Sequence, residues 1–290
     1  MKKLLHSFHL LALPVLIFSC QQKQKEGPAT VMSNGVNIAC NVCGNADTTL
    51  LFVHGWGINK EYWDAQVKYF CRRYKVVAID LPGFGQSGKN RKDYDFKTYA
   101  GDIKNVIEQL QLKNVILIGH SMSGNIVLRA DNEFPTLLAG IVGIDNLHAP
   151  GGPFTEEQKK DNDAFFKMMA DSFDSTAATM GKQVFQPSTD SSIVKRVMND
   201  ILATDHTIAT NVLYSLTKSS EYEKVLMKGL SHKLYLVNSD VFPVDKDSLT
   251  KYCNKGHEVA LIHGSGHYPM LEKTNEFNAD LQSIIDKMGK

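Results

Sequence analysis

Apolar and polar positions alternate along this chain in two rhythms. Short apolar runs at Leu50–His54, Lys75–Asp80, Val115–Gly119, Ala139–Asp145, Lys233–Asn238 and Glu258–Ile262 predict strands, most of them apolar on both faces and therefore fully buried. A further strand, Val36–Val42, follows an Asn34-Gly35 hairpin turn. Between the runs, helical periodicity fills Lys60–Phe70, Phe96–Leu110, Ser123–Phe134, Pro243–Cys253 and Asn275–Met288. Strands that alternate with helices imply βα repeats and a mainly parallel sheet, an α/β architecture. The rhythm breaks once. From Asn146 to Gly229 the pattern is helical only, over Thr155–Phe173, Ile193–Thr204 and Ile208–Leu216, with Thr155 and Gln158 spaced as a capping box. Such an insertion reads as a cap over the strand ends, where α/β sheets bind ligands. The body then divides into a first core part (31–146), a helical cap (147–228) and a second core part (229–290).

The N-terminus is a different kind of sequence. Lys2 and Lys3 precede an apolar run from Leu10 to Phe18, then Ser19, Cys20 and the polar stretch Gln21–Glu26. The run is too short to span a bilayer and has the form of a signal peptide. Its end, Ile17-Phe18-Ser19-Cys20, resembles a bacterial lipobox, in which the cysteine is lipidated and becomes the mature N-terminus. The alternative is a plain secretory leader. The lipobox reading makes 1–19 the signal peptide and 20–30 a polar tether. It implies a lipoprotein held to a membrane of the cell envelope through Cys20, on the periplasmic or outer-membrane side.

Composition narrows the classes further. With 290 residues, 43% hydrophobic and 22% charged, the chain has ample material for a core, which excludes disorder, collagen and coiled coil for the whole. Formal charge is +1, and removing Lys2 and Lys3 from the 32 basic residues leaves 30 against 31 acidic ones. Nothing in that balance points to nucleic acid. Five cysteines make neither a disulfide scaffold nor a zinc module. Cys40 and Cys43 form a CxxC, but residues three apart on a strand face opposite ways and cannot bridge each other. Cys71 and Cys253 fall in helical patterns; small buried residues are the plain reading of all four, with long-range pairing permitted in an oxidising envelope.

The chemistry lies in four motifs. In Val115-Ile116-Leu117-Ile118-Gly119-His120-Ser121-Met122-Ser123-Gly124 a buried strand runs into Gly-x-Ser-x-Ser and a helix. This resembles the nucleophile elbow G-x-S-x-G of the α/β-hydrolases, with Ser123 in place of the last glycine. The residues two before and two after Ser121 must be small so that strand and helix can approach. A serine hydroxyl needs a base. Gly264-Ser265-Gly266-His267-Tyr268-Pro269-Met270-Leu271-Glu272 resembles the family's histidine loop, which singles out His267 among competitors such as His120, His148, His206, His257 and His263 and makes Glu272 a loop anchor. Leu51-Phe52-Val53-His54-Gly55-Trp56-Gly57 resembles the oxyanion turn, so that the N–H groups of Trp56 and Met122 would face the developing oxyanion. Asp80-Leu81-Pro82-Gly83-Phe84-Gly85-Gln86-Ser87 resembles the family's D-x-x-G-x-G-x-S loop, a structural wall beside the site.

The histidine also needs a carboxylate. Three residues compete. Asp240 ends the strand after the cap, the family's usual place, although Asn238-Ser239-Asp240 is one residue short of the common G-x-x-D. Asp145 ends the strand before the cap, where some family members carry the acid. Asp245 is better placed to cap the next helix. Asp240 leads and Asp145 is the alternative.

The resemblance implies an α/β-hydrolase fold and acyl transfer to water through Ser121, His267 and the chosen aspartate. No metal cluster or phosphate-binding glycine loop is visible, so no cofactor is expected. The substrate implied is a carboxylic ester with a small or medium acyl group, against an apolar wall drawn from Phe165, Phe166, Met168 and Met169; packing of the cap on the core is the competing use for those residues. Proline iminopeptidase-like, thioesterase and carbon–carbon hydrolase activities share the scaffold. For the first, Glu156, Glu157, Asp161 and Asp163 would have to hold an amine, whereas they read as a solvated helix start. A slow-turnover ligand receptor that keeps the triad is the alternative from another class.

Overall fold

A computed structural model describes residues 26–288. The signal-peptide and Cys20 assignments lie outside the described residues. Among the described residues eight strands form one sheet: β1 (Gly27–Ser33), β2 (Val36–Cys43), β3 (Thr49–Val53), β4 (Lys75–Ile79), β5 (Val115–His120), β6 (Leu138–Ile144), β7 (Leu234–Ser239) and β8 (His257–Ile262). Their order is β1-β2-β4-β3-β5-β6-β7-β8. β1, β2 and β4 pair antiparallel, and β3 through β8 are parallel. Every residue of β3, β5 and β7 is buried, which is why those segments read as unbroken apolar runs.

Alternate residues of each strand feed two cores. Leu51, Val53, Val77, Ile79 and Leu117 face α2 (Phe96–Gln109) and α3 (Ser123–Glu133). Leu50, Phe52, Val76, Ala78, Ile116 and Ile118 face α1 (Asp64–Phe70) and α11 (Thr274–Met288). Phe52 lies between Trp63 and Phe70, with ring centroids 4.9 and 6.3 Å away. Truncating such a side chain to alanine costs roughly 3–5 kcal/mol.

Among the described residues no strand falls between β6 and β7. Five helices occupy that stretch: α4 (Glu156–Asp171), α5 (Phe173–Lys182), α6 (Ser191–Leu202), α7 (His206–Ser220) and α8 (Glu223–Lys228). The capping box at Thr155 and Gln158 is present. The single helix expected over Thr155–Phe173 breaks at Ser172, whose backbone (φ −152°) leaves the helical region. These helices pack on the core as a cap: Met169, Phe173, Val197 and Ile201 join one face's core, and Ile208 and Val212 join the other. Short α9 (Lys246–Tyr252) precedes β8, and short α10 (Pro269–Glu272) leads into α11. Among the described residues no helix is long and apolar enough to cross a membrane.

Two expectations need correction. The tether expected over residues 20–30 overlaps β1, which starts at Gly27. Asn34 (φ 49°) and Gly35 (φ 81°) form the hairpin turn, and a hairpin needs a strand on both sides. The cysteines are also not uniformly plain buried residues. Cys43, at the end of β2, forms a disulfide with Cys71 at the end of α1, with Cα atoms 5.5 Å apart. Cys40 and Cys253 are free and buried, and burial pushes their thiols up to about 12 and about 11 respectively.

Candidate active site

β5 ends at His120, and the chain turns at Ser121 with φ 53°, a left-handed conformation that costs a non-glycine residue energy. The Ser121 N–H donates to the Ile144 carbonyl of the neighbouring strand (2.9 Å), and the Ser121 carbonyl accepts from Gly124 (3.0 Å) at the start of α3. The turn is tight enough that a Cβ on Gly119 would lie 2.6 Å from the Ser123 carbonyl oxygen and 2.7 Å from Val127. Ser123 fits this space fully buried, and its hydroxyl donates to the His54 carbonyl at 2.6 Å. The serine in the glycine position therefore ties the elbow to the turn after β3.

That turn is pressed against the serine. A Cβ on Gly55 would lie 3.0 Å from the Ser121 Cβ. His54 is held on both ring nitrogens: Nδ1–H donates to the Gly55 carbonyl (2.7 Å) and Nε2 accepts the Leu81 N–H (2.9 Å). Burial lowers its pKa, keeping it neutral. Among the described residues neither the backbone N–H of Trp56 nor that of Met122 donates to a protein acceptor, whereas the Trp56 indole N–H donates to the Ala209 carbonyl at 2.8 Å. Behind the turn, Asp80 receives the Lys60 N–H (2.7 Å), the Lys60 ammonium (2.8 Å) and the Gln86 N–H (2.9 Å) in a buried ion pair. Ser87 donates to the Asp80 carbonyl at 2.6 Å. These bonds brace the Asp80–Ser87 loop behind the turn.

His267, in the loop between β8 and α10, completes a hydrogen-bonded chain. Its Nε2 accepts from the Ser121 hydroxyl at 2.8 Å, and its Nδ1–H donates to Asp145 Oδ2 at 2.5 Å. This corrects the leading choice of carboxylate. Asp240 is exposed; its oxygens receive the Gly264 N–H (3.1 and 3.2 Å) and His263 Nδ1 (3.3 Å), so it braces the turn after β8 and does not touch His267. The setting of each strand end supplies the reason: Asp145, past β6 and beside the strand that carries Ser121, is buried with Ser239 holding its free oxygen, whereas Asp240, past β7, is exposed and engaged by the turn after β8. Asp145 also turns left-handed (φ 46°), with its N–H on the Val237 carbonyl (3.0 Å). Asp245 is the N-cap of α9, accepting from Ser248 at 2.9 Å.

Asp145 is 1% exposed. Its second oxygen, Oδ1, accepts from the Ser239 N–H (2.7 Å), the Ser239 hydroxyl (2.8 Å) and His148 Nε2–H (3.3 Å). Burial alone would raise its pKa, but hydrogen bonds from His148 and His267 outweigh burial and hold the carboxyl well below the usual range. His120 lies under this chain with Nε2–H on the His267 carbonyl (2.8 Å). Burial, and then the neighbouring His267, push its pKa down to about 3. Ser239 and His148 were not singled out as site residues from the sequence. The signal for Ser239 was its place at the strand end beside an aspartate; His148, three residues past Asp145, was one histidine among ten.

The expected apolar wall is divided. Met169 is fully buried and Phe165 packs on the core, whereas Met168 is 52% exposed and half-buried Phe166 pairs with the exposed Tyr214 ring (5.1 Å). Beside His267 stand Phe242 (6.3 Å) and Tyr268 (5.3 Å).

Comparison with known proteins agrees with this architecture. Residues 48–274 match the family model described as alpha/beta hydrolase fold. An AB hydrolase superfamily protein of Bacillus subtilis is 27% identical over 239 residues, 79% of this chain and 88% of that protein. Among solved structures, an esterase of Thermogutta terrifontis superposes with TM-score 0.78 at 18% identity, covering 91% of this chain and 99% of its own. A bromoperoxidase of Bacillus anthracis gives 0.77 at 20%, covering 90% and 100%.

Proposed function

Because this chain belongs to the α/β-hydrolase fold family and is an enzyme of that fold, we propose that it is a serine hydrolase working through an acyl-enzyme, with Ser121 as nucleophile, His267 as base and Asp145 as acid. The observation that carries this reading is the unbroken chain from the Ser121 hydroxyl through His267 to Asp145, at 2.8 and 2.5 Å. Ser121 Oγ attacks the acyl carbonyl carbon while its proton passes to His267 Nε2. The imidazolium that forms is stabilised by Asp145, which is already ionised and fixed by Ser239 and His148. Negative charge on the substrate oxygen is met by the N–H groups of Trp56 and Met122; each such donor lowers the barrier by roughly 2.7–4 kcal/mol. Collapse expels the leaving group, which takes the proton from Nε2. Water then attacks the acyl-enzyme by the same route in reverse.

The substrate class is a carboxylic ester with a small or medium acyl group. Support comes from the apolar surroundings of His267, with Phe242 and Tyr268 on it, and from the name of the Thermogutta terrifontis neighbour, an esterase. We further propose that the protein is an envelope lipoprotein anchored through Cys20. The lipobox-like Ile17-Phe18-Ser19-Cys20 and the Cys43–Cys71 disulfide, a bond that persists in oxidising compartments, both support this.

The test is fluorophosphonate labelling of the purified protein beside Ser121→Ala, with short-chain nitrophenyl esters assayed in parallel. Labelling and turnover that both vanish in Ser121→Ala are expected. Turnover retained in that variant removes Ser121 from the mechanism, and labelling with negligible turnover moves the reading to the ligand receptor. Cys20→Ala is expected to leave the membrane fraction; unchanged partitioning refutes the anchor.

A further inference from the structure

The histidine loop is held from within by Glu272 and from outside by the cap. Three successive backbone N–H groups, those of Gly266, His267 and Tyr268, all have acceptors. Glu272 takes two of them, Gly266 on Oε2 (2.9 Å) and Tyr268 on Oε1 (3.2 Å). The middle one, from His267 itself, goes to the Val184 carbonyl of the cap at 2.8 Å. The same cap loop reaches Glu272 a second time, through the Thr189 hydroxyl donating to Oε2 at 2.7 Å. Thr189 in turn is fixed by its own loop, accepting the Gln186 N–H at 3.0 Å. Phe185 stacks on Tyr268, centroids 5.6 Å apart. Packing leaves no slack: a Cβ on Gly266 would lie 2.8 Å from both the Val184 carbonyl oxygen and Glu272 Oε1.

We propose that the loop between α5 and α6, through Thr189, is a positioning element for His267, acting on it by way of Glu272. The inference rests on the reading of His267 as the base, and it adds that the cap completes the site as well as covering it. The physical argument is one of direction. Glu272 spans the two peptides that flank His267 and so sets the height and tilt of the imidazole. A carboxylate has several lone pairs and can swing; the Thr189 hydroxyl on Oε2 removes that freedom. A small tilt of the ring would lengthen both the Ser121 and the Asp145 hydrogen bonds, and displacements of about 1 Å cost catalysis up to about a hundredfold.

The experiment compares Thr189→Val, which keeps shape and removes the hydroxyl, with Thr189→Ser, which keeps the hydroxyl, in the full chain. Two readouts are taken: kcat and KM on a nitrophenyl ester, and the strongly downfield proton resonance of His267 Nδ1–H on Asp145. Thr189→Val is expected to lower kcat about tenfold, the scale of one hydrogen bond to a charged group, with KM little changed. It is also expected to shift or broaden the Nδ1–H resonance, and Thr189→Ser is expected to restore both. A Thr189→Val protein whose resonance matches the parent's overturns the proposal, as does a Thr189→Ser protein that loses as much as Thr189→Val. The resonance needs no turnover. If the parent fails to label at Ser121, the hydrolase reading falls, while the resonance still decides whether Thr189 positions His267.

Discussion

Two neighbouring strands, β6 and β7, carry an aspartate just past their ends, and the two aspartates live in opposite settings. Asp145 is buried, left-handed in its backbone, and surrounded by donors: His267, His148 and both the N–H and the hydroxyl of Ser239. Asp240 is exposed and braces a turn. Chemical identity is the same, and distance to the histidine in sequence favours Asp240. What separates them is where each carboxylate is held, Asp145 inward on His267 and Ser239 and Asp240 outward on the turn after β8. β6 sits beside the strand that carries Ser121, and β7 supplies from its end the serine that fixes Asp145. A carboxylate fit to stabilise an imidazolium must already be ionised and immobile, and Asp145 meets both conditions.

The comparison breaks most sharply at the two aspartates themselves. Asp145→Asn is expected to reduce kcat by about 10⁴, the scale seen when an asparagine traps the wrong imidazole tautomer. Asp240→Asn is expected to stay within about twofold, as exposed substitutions do. Parallel kcat measurements decide, and a large loss at Asp240 with none at Asp145 would reverse the assignment. A smaller effect belongs to Ser239→Ala, which strips one of the donors on Asp145 Oδ1 and is expected to lower kcat about tenfold. An unchanged kcat there would mean that the Ser239 N–H and His148 suffice to hold the carboxylate.

The smallest effect is on stability against pH. Asp145 has a folded pKa below its unfolded one, so the stability it contributes is complete above the ordinary carboxylate range and is lost as pH falls through it. His120 acts in the same direction: with a folded value of about 3 against an ordinary 6.5, the unfolded chain takes up the proton first as pH drops below 6.5. The thermal midpoint is therefore expected to fall between pH 7 and pH 4, and His120→Gln to flatten the upper part of that fall. Identical curves for the two proteins would show that His120 is not the group responsible.

Much of this was legible in the sequence because it follows from local rules. Buried strands read as apolar runs, the elbow must place small residues at 119 and 123, and the histidine loop has its own spacing. The carboxylate was not settled, because both aspartates follow a strand of the parallel sheet, and which of them turns inward to His267 depends on tertiary partners that no local pattern encodes. β1 escaped because it is an edge strand with only two buried positions, Val31 and Ser33, and a proline near its start, although the Asn34-Gly35 turn implied it. The Cys43–Cys71 pair joins residues that are neighbours only once β2 and α1 are packed. Likewise Val184 and Thr189 carry no chemical signature, and their link to the histidine loop exists only in the folded cap.

The most direct test of the account is the crystal structure of the fluorophosphonate adduct. It is expected to show phosphorus bonded to Ser121 Oγ, its oxygen between the N–H groups of Trp56 and Met122, and His267 still on Asp145. An adduct on another residue, or a His267 paired with Asp240, would contradict it.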